Sequence, residues 1–223
     1  MKYFIANWKA NKNFDEAKQW VNQFLKIYRP KTERTVIICP PFPFIPLLHQ
    51  AVNHLKNIKI GSQDLSAFES GTYTGEVTAK TLKGLVDYVI IGHSERRKNF
   101  HESQDLIGQK ISLAKKYQIE PIVCFQDVTD RLPNNIKFIA YEPPWAISKG
   151  YEDSMKTVIE ETPETVIKVK KKLKIQSDKC FIYGGSVNSN NISQYLKYKE
   201  IDGYLVGGAS LNPATFYEIV SQV

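Results

Sequence analysis

The most chemically suggestive stretch is Ile139-Ala140-Tyr141-Glu142-Pro143-Pro144-Trp145-Ala146-Ile147, an apolar run ending in a carboxylate and two prolines. Proline fixes its own φ near about −65° and drives the residue before it toward extended backbone. Glu142 therefore sits on a stiff stem, as a general base needs, and the Trp-Ala-Ile-Ser-Lys-Gly loop from Trp145 reads as a lid beside it. Taken alone, an ordinary surface glutamate accounts for the same residues.

Other polar groups share this placement at the end of an apolar run. Asn7-Trp8-Lys9 brings an ammonium group that attracts a phosphate or a developing negative charge, with Asn7 as an orienting partner. Val89-Ile90-Ile91-Gly92-His93-Ser94-Glu95-Arg96-Arg97 releases an imidazole through a glycine, placing a hydrogen-bond donor or proton carrier at a strand end. Glu95 is positioned to anchor Lys9 or relay protons; the plainer reading pairs it with Arg96 or Arg97. Two glycine-rich turns, Gly184-Gly185-Ser186 and Gly207-Gly208-Ala209-Ser210, let backbone N–H groups face an anion ahead of a helix N-terminus.

These groups require elements that bring their ends together. Apolar, β-branched runs at 3–7, 35–39, 58–63, 88–91, 119–125, 137–141, 180–183 and 203–206 read as strands. Several are apolar on both faces, as parallel strands covered by helices are. Helical patterns at 14–28, 44–55, 79–85, 105–117, 162–173, 190–198 and 213–222 alternate with them. Between the fifth and sixth strands, 126–135 leaves room for a turn or two of helix at most. The fold class is α/β, a (β/α)8 barrel in a single domain spanning 1–223 with a shortened fifth helix. A doubly wound open sheet is the alternative, because periodicity does not show closure. In a barrel, the strand-end residues above share one face, and loops after strands seven and eight often hold phosphate.

Composition narrows the classes of function. No run approaches the roughly 18 apolar residues of a membrane helix, and Asn7, Lys9 and Asn11 interrupt any leader-like start. Cys39, Cys124 and Cys180 form neither a disulfide framework nor a zinc spacing, which suggests a reducing, cytoplasmic setting. The net charge of +7 suits an anionic metabolite. The run from Lys168 to Lys174 has the spacing of a solvated helix face, so no nucleic-acid partner is expected.

At this point the chain resembles triosephosphate isomerase, nearly end to end. Asn7-Trp8-Lys9, Gly71-Thr72-Tyr73-Thr74-Gly75-Glu76-Val77, the stretch from Ile91 to Arg97, the stretch from Ala140 to Ile147 and both glycine turns occur in the family's order. The resemblance implies a TIM barrel that interconverts dihydroxyacetone phosphate and glyceraldehyde 3-phosphate without cofactor or metal. It implies Glu142 as base, His93 as electrophile, Lys9 and Asn7 as helpers, and Glu95 behind Lys9. Phosphate is expected on backbone N–H groups of Ser148, Ser186, Gly207 and Gly208. Pro143, Pro144 and Trp145 form the lid's hinge, while Ile147 and Leu205 clamp Glu142 and raise its basicity by desolvation. The implied assembly is a homodimer, Thr74 touching the partner's Asn7 region and Glu76 pairing with the partner's Arg96.

Departures from the family pattern fall around these groups. The usual Ala-Ile-Gly-Thr-Gly-Lys lid is Ala146-Ile147-Ser148-Lys149-Gly150-Tyr151, and the usual Cys-Ile-Gly-Glu is Cys124-Phe125-Gln126-Asp127. The shortened fifth helix resembles short archaeal members, in which it accompanies tetramers, so a tetramer stands beside the dimer. Residues 149–162 align poorly with the family. Two alternatives remain at this stage: a barrel acting on another phosphorylated sugar, and a catalytically silent basic scaffold.

Overall fold

A computed structural model describes residues 1–127, 129–130, 132–146 and 160–223. Eight parallel strands close into a barrel in chain order: β1 (Lys2–Asn7), β2 (Arg34–Cys39), β3 (Ile58–Ser62), β4 (Tyr88–Ile91), β5 (Glu120–Phe125), β6 (Phe138–Tyr141), β7 (Cys180–Tyr183) and β8 (Gly203–Val206). Closure is made by β1 against β8, with Ile5 opposite Leu205 and Ala6 opposite Val206. The open-sheet alternative is thereby excluded. The doubly apolar strand pattern has its physical cause in two cores. Ile5, Ile37, Ile90, Ile122 and Ile182 point into the barrel, whereas Phe4, Ala6, Val36, Ile38, Val89 and Ile91 face the helices.

The helices are α1 (Phe14–Ile27), α2 (Ile45–Val52), α3 (Ala79–Leu82), α4 (Ser94–Asn99), α5 (Gln104–Lys116), α6 (Pro163–Lys172), α7 (Ile192–Leu196) and α8 (Pro213–Val220). α1 begins with a capping box, Asn13 accepting from the N–H of Glu16 while Glu16 returns a bond to the N–H of Asn13. It buries Ala17, Trp20, Val21 and Phe24, and Trp20 and Phe24 pack against Phe216 of α8. Thr162 caps α6 and Pro163 opens it. Lys168, Lys171 and Lys172 on α6 are exposed, as a solvated face requires.

Among the described residues, predicted and observed α-helices differ in length and by one additional α-helix. The pattern over 79–85 yields only Ala79–Leu82 as helix, and 44–55 is shortened to Ile45–Val52. The short helix α4 was not anticipated, because Ser94-Glu95-Arg96-Arg97-Lys98-Asn99 has no apolar periodicity. It is anchored by its polar residues, Arg97 donating to the carbonyls of Gly92 and Cys124. Among the described residues no helix lies between β5 and β6, in keeping with the shortened fifth helix. No helix among the described residues is long and apolar enough to cross a membrane.

Candidate active site

Each strand-end residue singled out in the sequence lies on the rim at the C-terminal ends of the strands. Asn7 closes β1, His93 precedes α4, Glu142 follows β6 directly, and the glycine turns follow β7 and β8. The barrel thus brings together groups 86 residues apart in the case of Lys9 and Glu95.

Glu142 is 1% exposed, and both its oxygens are engaged. Oε2 accepts the backbone N–H of Ser94 at 2.8 Å, and Oε1 lies 2.9 Å from His93 Nε2. The imidazole's other nitrogen, Nδ1, accepts the N–H of Glu95 at 3.2 Å. An acceptor at Nδ1 places the neutral ring's proton on Nε2, so His93 presents its N–H to Glu142 Oε1. α4 thus serves both side chains with its first two backbone N–H groups.

Burial pushes the Glu142 carboxyl upward in pKa, but His93, the Ser94 N–H and Lys9 outweigh it, and the net shift is downward. Burial disfavours charge on His93, yet the Glu142 carboxylate overrides it and the net shift is upward. The rise in Glu142 basicity expected from desolvation is therefore not met in this arrangement. Its cause, burial, is present; a direct hydrogen-bonded partner cancels it.

Lys9 adopts φ 52°, a left-handed conformation costly for a residue with a side chain. The turn that imposes it is pinned from several sides. Asn7 Oδ1 accepts the Lys9 N–H, and Gln63 Nε2 donates to the carbonyls of Lys9 and Cys39 at 2.9 Å each. Lys9 Nζ then reaches Glu95 Oε1 at 2.6 Å. Arg96 and Arg97 pair elsewhere, Arg96 with Asp64 and Glu102 and Arg97 with Asp130.

The glycine turns have two different uses. A methyl group at Gly207 would sit 3.4 Å from Lys9 Cε, so the β8 turn lies against the lysine. Ser210 holds this turn, its N–H and hydroxyl both donating to the Gly207 carbonyl, while Trp20 Nε1 donates to the Ser210 carbonyl. Gly184 is different, since a methyl group there would meet Glu142 Cγ at 2.9 Å. Its neighbour Ser186 is half-buried, and its carbonyl accepts from Asn191 Nδ2. Leu205 lies in the barrel interior, 3% exposed. Pro143 accepts the N–H of Ala146, closing a turn around Pro144 and Trp145. Ile147 and Ser148 lie outside the described residues.

Thr74 and Glu76 are exposed on a loop whose Tyr73 stacks on Phe68 with ring centroids 3.7 Å apart. Arg96 is partly exposed and pairs within the chain with Asp64 and Glu102, in a cluster in which Lys110 Nζ contacts Asp64 at 2.7 Å and also Glu102. Ser94, Gln63 and Gly184 are site residues whose contacts sequence reasoning did not foresee. Gln63 is the last residue of the 58–63 run, whereas no sequence pattern gives a backbone donor such as the Ser94 N–H.

A closed parallel barrel with a carboxylate, an imidazole and an ammonium on its C-terminal rim defines a (β/α)8 enzyme of small-molecule chemistry. The triosephosphate isomerase family model matches residues 2–223. The triosephosphate isomerases of Dictyoglomus turgidum and Mesomycoplasma hyopneumoniae are 35% and 37% identical, the match covering 98% of each chain. That of Aquifex aeolicus is 33% identical, again over 98% of each chain. The chain belongs to the triosephosphate isomerase family, and it is an enzyme of the isomerase class.

Proposed function

We propose that this chain interconverts dihydroxyacetone phosphate and D-glyceraldehyde 3-phosphate through an enediolate, serving glycolysis and gluconeogenesis. The observation that carries the reading is the contact of Glu142 with His93 Nε2 at 2.9 Å, beside a lysine that packs on the Gly207 turn. Glu142 removes the proton from the carbon bearing the hydroxyl, and the electron pair moves onto the carbonyl oxygen. His93 Nε2–H and Lys9 stabilise the resulting oxyanion, with Asn7 fixing the lysine's turn. The hydroxyl proton passes by way of the His93 imidazole to the former carbonyl oxygen, and the Glu142 carboxyl returns the carbon-bound proton to the neighbouring carbon, so that both protons are accounted for. Pairing a glutamate base with a neutral imidazole is the known pattern of this family and not peculiar to this chain. Here it is supported by the Glu95 N–H at Nδ1, which a doubly protonated ring would have to give up.

Both Glu142 oxygens are occupied in this arrangement, so substrate has to displace the His93 contact before the base can act. Once displaced, Glu142 keeps its burial and loses its strongest neutralising partner, which raises its pKa toward the range of an effective base. Phosphate rests on the N–H groups of Ser148, Ser186, Gly207 and Gly208, with Glu95 holding Lys9. Pro143, Pro144 and Trp145 form the hinge of a lid, and Ile147 with Leu205 forms the clamp. No cofactor or metal is invoked in this reaction.

The chain is read as one domain, working in the cytoplasm as a homodimer with a tetramer as the alternative. The exposed Tyr73–Phe68 stack beside Thr74 and Glu76 supports an interface there. A monomer-sized species in sedimentation would remove that part. The reaction itself is tested by isomerisation of glyceraldehyde 3-phosphate by purified protein, with Glu142→Gln alongside. Turnover that collapses in the variant is expected; turnover that persists would displace Glu142 as the base.

A further inference from the structure

Trp145 stands three residues beyond Glu142 and is 52% exposed, yet its indole N–H is not left to water. It donates to Glu161 Oε1, across 16 residues of sequence. Glu161 is 8% exposed, and its backbone carbonyl accepts the hydroxyl of Tyr195, itself buried on α7. Tyr195 stacks on Tyr183 with centroids 4.9 Å apart. Tyr183 ends β7, and the next residue is Gly184, where an added methyl carbon would lie 2.9 Å from Glu142 Cγ. These contacts form a closed circuit that starts and finishes at Glu142. It joins the rim of β6 to the rim of β7 through a residue on neither strand.

From this circuit we infer that Glu161 is a positioning residue for the base, acting through the Trp145 indole. The inference rests on the isomerase reading given above. Two consecutive prolines limit the freedom between Glu142 and Trp145, because φ is fixed at both and only ψ can turn. An anchored Trp145 therefore restrains where Glu142 stands. The indole N–H is a donor only, so the far side of the contact must supply an acceptor. A carboxylate does this with a charge-assisted bond, and an amide oxygen does it more weakly. Glu161 follows segment 147–159, outside the described residues, and the carbonyl bond to Tyr195 fixes it independently of Trp145.

A double-mutant cycle with Glu161→Ala, Trp145→Phe and their combination tests this, together with Glu161→Gln. In Glu161→Ala, kcat is expected to fall about tenfold, a misplacement well short of the ~1 Å that costs ~100-fold. KM should change less than kcat, because the Gly207 and Gly208 backbone donors after β8 lie outside this circuit. Trp145→Phe should match that loss and the double variant should add nothing further, while Glu161→Gln recovers most of the rate. Additive losses, or a Gln variant as slow as the Ala variant, would overturn the inference. The indole N–H resonances give a readout independent of turnover. Of the signals from Trp8, Trp20 and Trp145, only the one lost in Trp145→Phe should move in Glu161→Ala. If that signal stays in place, Glu161 does not hold the indole. If wild-type protein lacks isomerase activity, the functional reading fails, and the resonance still decides the anchor.

Discussion

Gly184→Ala is the sharpest single perturbation of the site. Gly184 does not carry a positive φ, so alanine is conformationally acceptable and the effect is purely steric. The added methyl carbon would lie 2.9 Å from Glu142 Cγ and 3.2 Å from the Tyr141 carbonyl. The carbonyl is fixed, because it accepts the N–H of Gly184 within the strand ladder, so the side chain has to yield. Carbon atoms rest about 3.5–4.0 Å apart, which displaces Glu142 by roughly 0.5–1 Å. A shift of that size costs roughly 10- to 100-fold in kcat, and overpacking costs about 1–3 kcal/mol of stability. For a chain of this size each kcal/mol moves the melting temperature by about 2–4 °C. Gly108→Ala is the matched control, since nothing lies within 4 Å of the added methyl on α5. It should keep full activity and gain up to about 1 kcal/mol from helix propensity. Steady-state kinetics and thermal melts of both variants read the comparison. A Gly184→Ala enzyme with wild-type kcat would refute the reasoning that this glycine makes room for a catalytic Glu142.

Further outcomes follow from the buried charges. In Glu142→Gln the His93 pKa, followed by imidazole NMR, should fall below the ordinary value of 6.5, because burial remains and the carboxylate is gone; an unchanged pKa would show that Glu142 does not charge the ring. Glu142's depressed pKa adds stability that is full above 4.5 and lost as pH drops through its folded value. His93's raised pKa adds stability that is full below 6.5 and lost as pH climbs past its folded value. Denaturant titrations of wild type against Glu142→Gln should therefore show the wild type's relative advantage peaking between pH 4.5 and 6.5; a flat difference would contradict the pairing. Lys110→Met should destabilise by about 3–5 kcal/mol, because it strips Asp64 and Glu102 of a buried partner. Burial already pushes the Asp64 pKa upward against the pull of Lys110, so this variant should also recover stability as pH falls; a loss independent of pH would point to packing alone.

The barrel was legible because the rule that writes its strands is simple. A strand buried on both faces has no room for polar residues until its end, so Asn7, His93 and Glu142 stand out against Ile5, Ile91 and Ala140. What stayed hidden depends on pairing across space. Asp64, Glu102 and Lys110 look like surface residues in sequence, and only the fold shows that they satisfy one another in a buried cluster. Gly184 and Gly207 carry the same signal, yet one makes room for a carboxylate and the other lies beside a lysine. α4 escaped notice for a related reason: its Arg96 and Arg97 bind partners distant in sequence instead of lining an apolar face.

Barrel closure also sets when this site comes into being. Lys9 follows the first strand, but the Gly207 turn against it follows the last, and β1 must pair with β8 for the two to meet. Contacts between opposite ends of a chain form late, after the loop entropy they demand has been overcome. On a ribosome, the lysine's turn would wait through the synthesis of nearly the whole chain for its counterpart. A partly made chain therefore carries the Glu142 carboxyl and the His93 imidazole before the Gly207 turn exists to meet Lys9, so any ligand capture that needs both turns should switch on only as the last strand docks.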